Sequence, residues 1–153
     1  MIGAITFATA VLVIGAIGFA FRRRVAAGRE AARHVVLRRD AEGVIVVPVA
    51  GLSKDGASVK NSINPFFAIA PEGLRFKVLF GEAWSFADLK MVRLHKGIFG
   101  PRLSFTCYSR GVLEAQFWGP EVPRQVLAAL PASVPLCPKA IAFRDIREQA
   151  DNA

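Results

Sequence analysis

Few side chains in this sequence are of the kinds that do chemistry, and their spacing works against them. The two histidines, His34 and His95, are far apart, and neither has a Cys, His or acidic partner three or four residues further on. A zinc site needs three or four such ligands held close together, so no metal centre can be assembled. Ser53 and Lys54 form a serine–lysine dipeptide on a polar stretch. A nucleophile and its base must face each other within hydrogen-bond reach, and adjacent loop residues do not. Asp88 reads as a capping residue at a corner. No GxGxxG, P-loop or GxSxG motif occurs. The expectation is a protein that is not an enzyme, without catalytic residues, metal or cofactor.

Cys107 and Cys137 belong to no CxxC pair. In a reducing cytoplasm both are expected as free thiols. Cys107 alternates with apolar neighbours as a small core residue. Cys137 lies in a proline-rich stretch, and no role follows from its position.

The elements that would position any site begin with an anchor. Ile2 to Phe21 are twenty residues without a charge, with Thr6 and Thr9 as the only hydroxyl side chains. Twenty helical residues rise about 30 Å, the thickness of a bilayer's hydrocarbon core. A cleaved signal peptide would place its positive charge before a shorter apolar run. Here the basic flank, Arg22, Arg23 and Arg24, follows the run. Basic flanks stay cytoplasmic, so the reading is one transmembrane helix over 1–21, N-terminus out, with the rest of the chain in the cytoplasm.

Charge supports that geography. The 153-residue chain carries a net charge of +8, and residues 22–39 hold seven arginines against one acid, Glu30. A pI near 10.3 raises the question of nucleic acid, but the cations cluster at the membrane side and not along the β face. Residues 22–33 therefore read as a basic neck. Arg22, Arg23, Arg24 and Arg29 are expected at the membrane surface, where each cation gains about 1 kcal/mol from anionic head groups. Orientation alone and specific lipid recognition both account for them.

Past the neck the pattern changes to strands. His34–Arg39 and Val44–Ala50 are β-branched runs around Asp-Ala-Glu-Gly and predict a hairpin, with Pro48 confining its strand to an edge or a bulge. Residues 51–62 read as a polar loop with an Asp55-Gly56 turn. Leu74, Phe76, Val78 and Phe80 alternate with Arg75 and Lys77, the period of a half-buried strand. Short strands recur through Trp118. Large core candidates are Phe76, Phe80, Trp84, Phe86, Phe105 and Phe117, enough to fill a small barrel. Gly119 to Pro123 opens an amphipathic helix with Val126, Leu127 and Leu130 on one face. Residues 132–153 read as a linker and a short charged helix with Ile141 and Ile146 as its apolar positions.

The order of features over 66–131 resembles the bacterial pleckstrin-homology-like domains, often tethered to membrane helices. The resemblance rests on the turn at Gly73, on Trp84-Ser85-Phe86-Ala87-Asp88-Leu89 followed by Val92, on the Ile98-Phe99-Gly100 loop, on the strands Leu103–Tyr108 and Leu113–Trp118, and on the closing helix. It implies a mainly β fold, an antiparallel barrel or sandwich over 34–131 closed by its C-terminal helix. Inositol phosphate binders of that kind use a long basic loop, whereas Ala70-Pro71-Glu72-Gly73 is short and acidic.

The functional expectation is a non-enzymatic, membrane-anchored interaction module in a bacterial inner membrane, binding a protein partner or a second copy of itself. The alternative is direct binding of lipid or a small apolar ligand by the β domain. Ile98 and Phe99, framed by Gly97 and Gly100, are the candidate contact for a partner or lipid; folding back over the barrel end is the competing reading.

Overall fold

From Leu74 apolar and polar side chains alternate along several short strands, and in the computed structural model these strands, with those before them, form two antiparallel sheets around one core. The structure describes residues 22–23, 26–56, 59–61, 64–97 and 100–150. The span expected over 1–21 lies outside them. Among the described residues no helix is long and apolar enough to cross a membrane.

The first sheet has the order β1 (Ile45–Val46), β4 (Phe66–Ala70), β5 (Gly73–Lys77), β6 (Gly81–Ser85). The second has the order β3 (Val59–Asn61), β2 (Gly51–Lys54), β9 (Gly111–Gln116), β8 (Pro101–Cys107), β7 (Leu89–Lys96). The chain passes between the sheets three times, from β1 to β2, from β3 to β4, and from β6 to β7 through a 3-10 turn at Phe86–Asp88. An ion pair from Lys54 Nζ to Glu82 Oε2 (2.8 Å) ties β2 to β6 across the two sheets. Helices α2 (Glu121–Ala129) and α3 (Pro138–Ala150) follow, so the mainly β class with a closing C-terminal helix is the one observed.

Trp84, Phe67, Phe76, Phe105 and Phe117 are the largest fully buried side chains. Phe76 meets Trp84 edge-on at 5.1 Å, and Phe67 meets Phe105 at 5.5 Å. Each such side chain contributes roughly 1.5–3 kcal/mol by leaving water. The β4–β5 turn fits because Gly73 lacks a Cβ; one placed there would collide with the Trp84 carbonyl. Val126 and Leu127 of α2 and Leu130 at its C-terminal end pack onto this core as their spacing predicts, and Val122 joins them.

Several expectations are corrected. The hairpin over 34–50 does not form. Its turn does: Asp40 Oδ1 accepts from Glu42 N–H (2.9 Å) and Val44 N–H (2.8 Å), and Gly43 is left-handed with φ 78°. Its arms part, because Ile45–Val46 pairs with β4 and residues 34–39 turn toward α2. β1 is an edge strand that stops before Pro48. The polar stretch after it contains the β2–β3 hairpin, with Asp55 (φ 54°) and Gly56 (φ 78°) both left-handed at the turn.

Phe80 is not in the core; it is 80% exposed. β5 ends at Lys77, so the two-residue alternation lapses at the 78–80 bend after Val78. Phe86 sits half-buried against the core in the 3-10 turn. That turn is capped by Ser85, whose Oγ accepts from Ala87 N–H, and not by Asp88. Residues 131–137 are not a free linker, since Val134 is buried and Leu136 bridges to Val92. Helix α3 buries Ala140 and packs Phe143, leaving Ile141 and Ile146 exposed. Small Ala140 lies at the contact, and its position sets the register of the face.

Candidate functional site

The basic neck, read from its charge alone, also packs on the domain. Helix α1, described over 22–23 and 26–33, turns its two smallest positions inward. Gly28 faces Trp118 so closely that an added Cβ would lie 2.6 Å from the indole Cδ2. Ala32 is buried and belongs to the main core cluster. Arg22, Arg23, Arg29 and Arg33 are exposed. Arg33 pairs with Glu30 at 3.1 Å, and His34 Nε2 lies 3.6 Å from the same carboxylate. Both pairs are exposed and contribute little to stability. Arg24 lies outside the described residues.

Past His34 the chain runs as neither helix nor strand to Arg39. One side chain holds it. Gln125 Oε1 accepts from Leu37 N–H at 2.8 Å, and Gln125 Nε2 donates to the Val35 carbonyl at 2.8 Å. Val35 and Leu37 turn their side chains toward the core, while Val36 is exposed. An open groove of about 580 Å³ lies between residues 33–36 and α2, lined on the helix side by Glu121, Arg124 and Gln125. The Arg124 guanidinium stacks over Phe143 at 4.9 Å.

Ile98 and Phe99 also lie outside the described residues, but the base of their loop is defined. Gly97 N–H donates to the Gly100 carbonyl at 2.9 Å. A Cβ on Gly100 would lie 3.1 Å from the Trp118 carbonyl carbon. Trp118 thus meets Gly28 of the neck as well as the base of this loop. Two features singled out separately in the sequence share one end of the molecule.

The other residues with chemical potential are dispersed. Ser53 and Lys54 point to opposite faces of β2, as successive strand residues must. Ser53 Oγ donates to Glu114 Oε2 (3.2 Å), and Lys54 reaches Glu82. His95 Nε2 lies 3.0 Å from Ser104 Oγ, the one buried polar side chain among the described residues. Glu114, on the same outer face, also accepts from Arg102. Among the described residues no group of three His, Cys, Asp or Glu could hold a metal ion.

Cys107 is a buried free thiol, as its alternation predicts. Cys137 stands just before α3. Burial alone raises its thiol pKa, but amide hydrogen bonds from Leu94, Ala140 and Lys139 and the charge of Arg93 outweigh that, and the net shift is downward. The short Glu72 loop is likewise settled internally: Arg75 donates to Glu72 Oε1 at 2.7 Å and holds that carboxyl below its ordinary value.

The sequence reading missed Gln125 and Trp118. Gln125 directly precedes Val126 and Leu127 of the buried helix face, where an uncharged polar residue can reach a hydrogen bond at the margin of a core. Trp118 read as the last residue of a strand, and nothing in the sequence pairs it with Gly28. No known protein family matches this chain, and no curated protein is significantly similar to it.

Proposed function

We propose that the protein is a non-enzymatic interaction module of the pleckstrin-homology-like kind, anchored by residues 1–21 in a bacterial inner membrane and presenting its β domain to a protein partner at the cytoplasmic face. The observation that supports this most is the docking of the neck. Gly28 on Trp118, buried Ala32 and the Gln125 bridge fix the basic helix to the domain. A floppy tether would leave the domain free to tumble. A docked one keeps one end, with the neck arginines and the base of the Gly97–Gly100 loop, toward the membrane and offers the remaining surface to partners.

The exposed arginines Arg22, Arg23 and Arg29, with Arg24 beside them in sequence, then contact anionic head groups. The interior favours this reading over an enclosed apolar ligand, because Trp84, Phe67, Phe76, Phe105 and Phe117 occupy the space between the sheets.

The test is co-sedimentation of a 22–153 fragment with neutral and anionic liposomes, beside a variant carrying serine at Arg22, Arg23, Arg24 and Arg29. The expected binding is to anionic liposomes alone. It disappears in the variant, and also near 1 M salt, where screening acts within about 3 Å. Binding that survives both changes sinks the proposal and assigns lipid recognition to the β domain itself.

A further inference from the structure

Residues 34–39, His-Val-Val-Leu-Arg-Arg, have the β-branched composition of a strand, and the structure gives them no strand to pair with. In an extended chain the carbonyl of one residue and the N–H of the residue two further on point to the same edge. Gln125 takes both groups on one edge, the Val35 carbonyl and the Leu37 N–H. Its carboxamide stands where a neighbouring strand's peptide group would. The opposite edge belongs to His34, Val36 and Arg38. Val36 is 69% exposed, and its main chain has no hydrogen-bond partner among the described residues. An exposed edge of this kind is a template for another strand.

We propose that this edge takes an added β-strand from a partner protein, an extended segment with apolar residues at its centre and acidic residues at its ends. The claim rests on the reading of the protein as a membrane-anchored interaction module and names its contact. Charge selects the occupant. Val35, Val36 and Leu37 are flanked by Arg33 and His34 on one side and by Arg38 and Arg39 on the other, all with exposed side chains. A second copy pairing antiparallel about Val36 would set Arg38 against His34 and Arg39 against Arg33, which puts no acid opposite either arginine and makes the Arg39–Arg33 pair like-charged and destabilising. An acid-flanked strand meets Arg38 and Arg39 at one end and, at the other, Arg33, which it shares with Glu30.

The experiment pans a display library of short random peptides on the full chain in lipid nanodiscs. The expected selection is a consensus of alternating apolar residues with Asp or Glu at both ends. Two changes then test the main-chain bonds. N-methylation of alternate amides in the selected peptide, and Val36→Pro in the protein, each weaken binding by about tenfold or more. Val36→Pro removes an N–H that bonds to nothing in the fold, and an unchanged melting temperature confirms that the variant is intact.

No acidic–apolar consensus, or a peptide indifferent to both changes, overturns the proposal. A homodimer of the full chain that dissociates on Val36→Pro also overturns it, by making a second copy the occupant. If selection fails while the neck still binds anionic liposomes in a salt-sensitive way, the strand site is wrong and the anchored module stands.

Discussion

Two stretches outside the named strands and helices flank the C-terminal helices, and they are held in opposite ways. Residues 134–137, Val-Pro-Leu-Cys, include a proline that cannot donate to a ladder, yet they pair by main chain with the edge of the second sheet. Val92 N–H donates to the Pro135 carbonyl (2.8 Å), and Cys137 N–H donates to the Val92 carbonyl (2.9 Å). Residues 34–39 are β-branched, good strand formers, and are held by one glutamine side chain. Propensity therefore runs against pairing. What decides is which edge needs cover. β7 is an edge strand of the second sheet, and the tail protects it, while the edge presented by His34, Val36 and Arg38 is left open. An uncovered edge is a liability unless something uses it.

The sharpest way to break this comparison is proline at equivalent places in the two stretches' environments. Val92→Pro removes the N–H that receives the tail and disturbs a fully buried position. It is expected to destabilise the fold by about 3 kcal/mol or more, measured by urea unfolding. A small effect would show that the tail does not seal β7. Next in size is Gly28→Leu, which forces a side chain into the Trp118 indole. Overpacking there costs about 1–3 kcal/mol. Tryptophan fluorescence should report the indole moving into water as the neck lifts away. Retained fluorescence with unchanged stability would argue that the neck is not docked.

Gln125→Ala removes two hydrogen bonds and leaves the Val35 carbonyl and Leu37 N–H unmatched. The expected loss is about 1–2 kcal/mol, with faster amide exchange at Leu37 and none of that change at Cys137. Equal acceleration at both would mean that the two stretches are one cooperative unit. Val36→Pro, by contrast, touches no hydrogen bond of the fold and is expected to stay within about 0.5 kcal/mol of the parent protein. A large loss there would show that the edge is already paired.

The sequence disclosed the parts of this structure that obey a local period. Leu74, Phe76 and Val78 alternate, Val122 and Val126 follow a helical spacing, and all are buried. The turn at Asp40–Gly43 was legible from its residues as well. What it could not disclose is which arm of that turn goes where, because pairing with β4 or docking on Gln125 is decided by distant residues. Phe80 shows the same limit in reverse: its alternation was sound up to Val78, and the bend at 78–80 broke it. The docked neck was hidden because Gly28 in a basic helix looks like a weak point of the helix. Only Trp118, far along the chain, reveals it as a contact. His95 lies on the outer face of its strand, and its partner Ser104 depends on the β7–β8 register, which local sequence does not reveal.

The smallest effect concerns the covered stretch, at Cys137. Its thiol is held below the ordinary value because amides of Leu94, Ala140 and Lys139 and the charge of Arg93 outweigh burial. Those amides are in place only while the tail is seated on β7. In the folded protein Cys137 should react with iodoacetamide along a pH curve whose midpoint lies below that of a free thiol, about 8.5, while buried Cys107 stays protected. Linkage fixes the sign of the accompanying stability change. A thiol whose folded pKa is depressed adds stability above its unfolded value, and that contribution is lost as pH falls through the folded value. Relative to Cys137→Ser, the parent chain should thus gain slightly on going from pH 7 to pH 9, by an amount kept small by solvent. Under Val92→Pro the alkylation midpoint should return to the free-thiol value. A midpoint that stays low would place the source of the shift in α3 alone and detach it from the seating of the tail on β7.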